Sequence, residues 1–550
     1  MKIQKENGMS ADLIIKSKKI FTALQDVPQE AAVIIQGKRI LDVVHYGEEL
    51  KYADEHTRIV DAGKKLVMPG FIDAHTHFFQ GSLIFSNFVC TEIEHAISEE
   101  DCACMIGKFA ADHPEMAVIR GFGWFLPKWK GSPSFPTRDS LDKVVPDRPV
   151  YMVCADTHSM WLNTKALEMC NITADMPVKS GYIGTDETGK PDGMLVEPDA
   201  YAPAMKKFTE FSDEETLVIF KDFLKKAAEL GITGMSEMYA EDYTEEIHHK
   251  YSLVKKLEMS GALSLRLSIF TRLFGYDQFE KVLDWKKEMD SDCFQIAGVK
   301  GFIDGVVETY TGLLTEPYSD RPDTCGIGVP LEPRESIQKS VSAANAAGLP
   351  VRLHCIADGS VHMALDIFAE SNRINGKRKI PNTIEHIENI LPEDLNRFAQ
   401  EEVIPSMQPM HLLLDNNFKK VRIGKERALL EWPIRTLLEK SGAVALGSDF
   451  PVVEPDPLHG IYAAVTRKSF DGIQEGENPW ETITLSQALR GYTIDAAKVY
   501  GMENRTGSLE KGKYADIIIL ESNLFETDVD DLWKKTVNKT IFNGKVIFEK

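Results

Sequence analysis

The feature that most restricts the fold is a series of eight short apolar segments spread along the middle of the chain. They read LVMPGFIDAHT, ITGMSEM, SLRLSIF, AGVKGFID, PVRLHCIA, NTIEHIE, VIPSMQ and AVALGSDF. Amphipathic stretches fit between them, and strands alternating with helices mark a parallel α/β fold. One helix is expected to open at Ser212, with Glu215 completing a capping box, and to stop at Gly231. Another, over 359–370, follows PVRLHCIA directly. Eight strand–helix units predict a closed arrangement, the TIM (β/α)8 barrel, whose chemistry gathers where strands end. A doubly wound open sheet is disfavoured, because no GxGxxG follows an early strand.

Both chain ends carry a different pattern. ADLIIKSKKIFT, AAVIIQGKRILDVV and TRIVDAG near the start, and GKYADIIILE and TVNKTIFNGKVIFEK near the end, alternate apolar and polar residues between short turns. Neither end can bury a good core alone, so the two are expected to pair as a small β-sandwich. The boundaries read from the sequence are 1–67 and 501–550 for that domain and 68–500 for the barrel. The gap between the first two barrel strands exceeds any ordinary connection. It predicts an inserted subdomain at about 80–210 over the barrel mouth, with a hairpin in GYIGTDETGKPDGMLVE.

Charge narrows the function. Lys plus Arg number 63 against 84 Asp plus Glu, a formal net charge of −21. A surface that acidic repels phosphate backbones and anionic lipid, so neither nucleic acid nor a membrane is expected as partner. No run approaches the roughly 18 apolar residues of a membrane span, and the N-terminal stretch lacks a signal peptide's apolar middle. The 8 cysteines show no framework spacing. The expectation is a cytoplasmic protein with a small-molecule substrate; assembly as a homodimer stays open.

The chemistry is expected at the strand ends. In Asp73-Ala-His75-Thr-His77, residues two apart on a strand point the same way, so both imidazoles face one volume. Such a pair suits Zn²⁺ or a similar ion, though two strand-end histidines alone are more often ordinary surface or core residues. His354 closes PVRLHC, His386 closes NTIEH, Asp449 closes AVALGSD, and Lys300 lies among apolar neighbours in AGVKGFID. Singly these read as packing histidines, a turn cap and a snorkelling lysine. Parallel barrel strands bring them to one rim, where clustered polar groups are costly unless something pairs them. A metal centre would.

These motifs resemble the amidohydrolase superfamily of metal-dependent hydrolases, and within it the YtcJ-like branch. The resemblance is carried by MPGFIDAHTHF, GVKGFIDG, LHCIADG, IEHIEN, SMQPMHLLLD, ALGSDFPVVEPDPLHGIYAAVTR and the tail GSLEKGKYADIIIL, and spans nearly the whole chain. It implies that His75 and His77 bind one metal and that His354 and His386 hold a second. It implies that Lys300 bridges them when carboxylated, and that Asp449 contacts both metal and the attacking water as the catalytic residue. One or two divalent ions, with Zn²⁺ foremost, would then serve hydrolysis of a non-peptide carbon–nitrogen bond in an N-substituted amide or formamide. Deamination or cyclic-amide opening is the alternative at the same centre, and a non-catalytic scaffold or regulator the alternative of another class.

The chain departs from the branch at 307–314, where VETYTGLL replaces a stretch with a substrate-contacting arginine, and Tyr310 is the candidate substitute. Glu237, near the end of strand two, is a candidate supplementary ligand or acid/base group, with a hydrogen-bonding support role favoured. His158 and Trp161 in the insertion and His411 in QPMH are candidate substrate contacts. Trp124, Phe125 and Trp129 fit an aromatic lid or a subdomain interior equally well.

Overall fold

A computed structural model describes residues 10–130, 134–155, 159–178, 181–238, 244–273, 279–326, 333–413, 416–470 and 478–550. Its chain divides into two compact units, Met1–Phe78 with Leu224–Lys550, and Phe79–Phe223.

The first unit holds an eight-stranded parallel sheet with helices between its strands. Strands one to eight are Phe71–Thr76, Ile232–Glu237, Arg266–Arg272, Phe294–Phe302, Val351–Cys355, Thr383–His386, Ile404–Met407 and Ala445–Leu446. Each falls within an apolar segment read from the sequence, except that strand three runs two residues past its segment and strand four begins three residues before its own. Strand eight returns to strand one through a parallel bridge between Thr76 and Phe450. Asp449 N–H donates to His75 O and His77 N–H to Phe450 O, both at 2.7 Å. The sheet thereby closes into the expected barrel. The helix Asp213–Glu229 follows the predicted cap: Glu215 N–H donates to Ser212 Oγ at 3.3 Å, and Ser212 N–H to the Glu215 carboxylate at 2.8 Å.

The first predicted strand is in fact two. Val67–Pro69 pairs with strands of the terminal domain, and Phe71–Thr76 belongs to the barrel. Gly70 is the switch between them. A Cβ there would lie 2.3 Å from Thr233 Oγ1, so only glycine lets strands one and two close at this point.

Both chain ends join one eight-stranded sheet, in which Ile517–Leu520 lies beside Val67–Pro69 and Leu13–Ile20 beyond it. The alternating residues Leu13, Ile15, Val33, Ile35, Ile517, Ile519 and Ile541 enclose one apolar cluster drawn from both ends. The pairing foreseen from periodicity is thus present. This domain is fastened to barrel strand three by a buried ion pair. Arg266 Nε lies 2.7 Å from Asp516 Oδ2 and Nη2 3.0 Å from Oδ1, with the Tyr514 ring 3.5 Å from the guanidinium carbon.

The second unit carries a five-stranded sheet. Its edge hairpin, Tyr182–Thr185 with Pro191–Val196, is the one expected from Gly and Asp content. Trp124, Trp129 and Trp161 meet with ring centroids 5.8–6.4 Å apart inside its apolar core. Trp161 Nε1–H donates to Thr137 O at 2.8 Å. The expectation of a substrate-facing Trp161 is corrected here, and of the two readings of Trp124 and Trp129 the interior one applies: the three indoles pack with Ile106, Ile119, Leu141 and Met152 in the core of this unit. Among the described residues no helix is long and apolar enough to cross a membrane.

Candidate metal centre

Strand one delivers His75, fully buried, and His77, which is partly exposed. His77 Nε2 lies 2.9 Å from Asp449 Oδ1, and His75 Nε2 lies 3.4 Å from the same oxygen. From strand six, His386 turns Nδ1 to within 4.0 Å of the other Asp449 oxygen. One ligand atom each from His75, His386 and Asp449 falls within 4.8 Å of the others. The His354 ring is 4.4 Å from that of His386. Its Nε2 faces Gly305 O at 3.3 Å, so Nδ1 is the nitrogen left for another partner.

The backbone is bent to achieve this. His386, Ile387 and Asp449 have φ of 73°, 53° and 61°, a region costing non-glycine residues about 1–3 kcal/mol each. The consequence at strand six is that consecutive residues both turn inward. Glu385 accepts from His75 Nδ1–H at 2.6 Å while His386 brings its ring to 4.9 Å from that of His75. Glu385 is held in turn by Arg352 Nε at 2.5 Å, and Arg352 Nη2 donates to Ala74 O and Ser406 Oγ at 2.8 and 3.1 Å. A carboxylate on Nδ1–H fixes the tautomer and leaves Nε2 of His75 as a lone-pair donor facing Asp449.

Asp73 secures the strand-eight side. Its carboxylate accepts from Ser448 N–H at 2.9 Å, Ser448 Oγ–H at 2.5 Å and His75 N–H at 3.2 Å. Gly447 passes so close that a Cβ would sit 2.6 Å from His75 N and 2.8 Å from Asp73 Oδ1. The Gly447→Ala protein is therefore expected to fold with strands one and eight forced apart and to lose metal affinity by about 10–100-fold. Competition with a chelator measures this; an affinity equal to wild type would show that the strand spacing does not govern the centre.

Electrostatics favour ligation. Burial, joined by the positive charge of Lys300, pushes His75 down to about 4 and His354 to about 3. Burial, joined by the neighbouring His354 and His75, takes His386 well below its ordinary value. Imidazoles so placed are neutral at pH 7, the form that binds metal. For Asp449, burial opposes ionisation, but His75 and the hydrogen bond from His77 outweigh it and hold the carboxyl well below the usual range. Lys300 is buried, and burial brings its amine down to about 8.

Three buried polar atoms here, Lys300 Nζ, His386 Nδ1 and His411 Nε2, have no hydrogen-bond partner among the described residues. Leaving such groups unpaired costs about 1–3 kcal/mol each, so something outside the chain must satisfy them. Imidazole nitrogens with a carboxylate oxygen are a donor set for a borderline divalent cation such as zinc. The residues present fit a metal.

The other sequence candidates separate. His411 joins the cluster, its Nε2 3.8 Å from Asp449 Oδ2. Tyr310 is turned to other work: its hydroxyl donates to Asp320 at 2.8 Å and its ring carries Arg422 at 4.0 Å. Glu237 accepts the backbone N–H of Phe78, holding the turn after strand one. His158 lies outside the described residues. Sequence reasoning passed over Glu385 and Arg352, since strict alternation puts Glu385 on the opposite face from His386. The acidic residue beside a strand-end histidine in IEHIEN was the available signal.

Comparison with known proteins identifies the family. Over 98% of its length the chain is 30% identical to Protein LONG AFTER FAR-RED 3 of Arabidopsis thaliana, covering 92% of that protein. It is 26% identical to YtcJ of Bacillus subtilis over 96% of this chain and 98% of the relative. It is 23% identical to the N-substituted formamide deformylase of Arthrobacter pascens over 94% and 95%. A solved metal-dependent hydrolase from Pyrococcus horikoshii OT3 superposes with a TM-score of 0.76 at 25% identity, covering 94% of this chain and 99% of that one. Residues 58–548 match the amidohydrolase family from the terminal sheet through the barrel and back, and this chain belongs to that family.

Proposed function

We propose that the protein hydrolyses the carbon–nitrogen bond of an N-substituted amide, with N-substituted formamides as the leading class, using a divalent metal, zinc foremost, held by His75, His77, His386 and Asp449. The observation that carries this is the Asp449 carboxylate set between the strand-one histidines and His386. The formamide class is suggested by the name of the Arthrobacter relative. A cation held there supplies Lewis acidity, which acidifies water and polarises a carbonyl. His354 and Lys300 are the residues that would take part in holding a second ion, Lys300 as the carbamate that the deprotonated fraction of its amine would form by adding carbon dioxide and losing a proton.

Asp449 has the remaining work. Its carboxylate is ionised and buried, so it can accept a proton from the attacking water and return it to the departing nitrogen as the amine leaves. His411, 3.8 Å from it and neutral because burial lowers its pKa, can hydrogen-bond the substrate carbonyl oxygen or the amide N–H. Glu385 and Arg352 keep His75 from rotating. We place the enzyme in the cytoplasm, since its cysteines are all free thiols.

The test is metal analysis of the purified protein followed by a hydrolysis panel of N-substituted formamides, acetamides and cyclic amides. Stoichiometric metal, loss of hydrolysis on chelation and recovery with Zn²⁺ are expected. Protein without metal that hydrolyses none of the panel after zinc loading would overturn the assignment.

A further inference from the structure

A buried carboxylate stands behind His75, and another stands behind His354. The first is Glu385, which accepts from His75 Nδ1–H directly. The second is Asp304, two residues past the end of strand four and only 2% exposed. Its Oδ1 lies 4.0 Å from His354 Nε2, too far for a hydrogen bond. The carbonyl of the next residue, Gly305, is the group that meets this nitrogen, at 3.3 Å.

Both oxygens of Asp304 are occupied by the backbone. Oδ1 accepts from Ile356 N–H at 2.9 Å, and Oδ2 from Ala357 N–H and Leu313 N–H, each at 3.0 Å. Ile356 and Ala357 lead from strand five into the helix Asp358–Asn375, while Leu313 belongs to the loop after strand four. The carboxylate therefore pins the loop that follows Lys300 to the turn that follows His354. Within that loop the Gly305–Val306 peptide is held at its other edge. Val306 N–H donates to Thr311 Oγ1 at 2.9 Å, and Gly305 N–H to Thr311 O at 3.1 Å. The N–H and C=O of a trans peptide point opposite ways, so holding Val306 N–H on Thr311 aims Gly305 O towards the imidazole. With Nε2–H donating to that carbonyl, the tautomer of His354 is set and Nδ1 keeps its lone pair.

Resting on the metal-centre reading of this site, we propose that Asp304 is a positioning residue for His354, holding the Gly305 carbonyl on Nε2–H so that Nδ1 is presented to a bound ion. Asparagine cannot replace it. An amide has one acceptor oxygen, and its NH2 would face an N–H where the second carboxylate oxygen stood.

The test is a double-variant cycle read in metal affinity rather than in hydrolysis. Zn²⁺ affinity of the full-length protein is measured by chelator competition for wild type, Asp304→Asn, His354→Ala and the double variant. Asp304→Asn is expected to weaken binding of one ion by about 10–100-fold, and to add no further loss once His354 is gone. A loss that persists in the His354→Ala background would show that Asp304 only holds the fold, and would overturn the proposal. So would wild-type affinity in either single variant. Should Asp304→Asn fail to fold, Thr311→Val decides, since it releases Val306 N–H and leaves the carboxylate in place. Its loss of affinity must likewise vanish with His354→Ala, and unchanged affinity overturns the proposal. A wild type that binds no ion sinks the functional reading and this one together. A protein that holds metal and shows the expected cycle, but hydrolyses none of the amide panel, sinks the amide reading alone.

Discussion

Replacing Asp449 with Asn is expected to lower kcat by about 10²–10⁴-fold while leaving the barrel folded, because the amide keeps the shape and removes the proton acceptor. The size follows from what the carboxylate does. Its Oδ1 is 2.9 Å from His77 Nε2 and 3.4 Å from His75 Nε2, so an uncharged oxygen there weakens the ligand set as well as the proton relay. Metal content must be measured alongside kcat. A variant that retains full metal and loses turnover separates proton transfer from ligation. A variant with metal and near wild-type kcat contradicts the role given to Asp449.

The largest effect on stability is expected at Arg266. Its guanidinium is buried and holds Asp516 through two bonds, Asn543 Oδ1 at 2.7 Å and the Asp292 carbonyl at 2.7 Å. Arg266→Met leaves the Asp516 carboxylate buried without its counter-charge, a change that costs about 3–5 kcal/mol. Chemical denaturation should show this loss, and the double variant with Asp516→Asn should recover part of it, since the stranded charge is then gone. An Arg266→Met protein as stable as wild type would mean that the ion pair does not fasten the terminal sheet to barrel strand three.

How much could be read from the residues alone follows from what each signal depends on. The eight barrel strands and the pairing of the chain ends rest on local apolar periodicity, which survives folding unchanged. The rim histidines were legible because parallel strands sharing a direction gather their ends, whatever the details of packing. The break at Gly70 was not legible, because the apolar run continues through it and the reason for the switch is Thr233, far along the chain. Glu385 was hidden by the left-handed backbone at His386, which cancels the alternation that any strand reading assumes. Trp161 was misplaced because an aromatic residue near a histidine motif reads the same in a pocket wall or an interior. The difference lies in Trp124 and Trp129, which close around it.

The seam at Gly70 bears on how this polypeptide reaches its native state during synthesis. The segment entering the first barrel strand is stitched, through Val67–Pro69, to Ile517–Leu520. A ribosome that has completed all the barrel strands has still not made the neighbour that anchors the front of the first one. Contacts so distant along the chain are slow to form. The growing protein must therefore carry an unpaired, aggregation-prone strand edge until its last segments emerge.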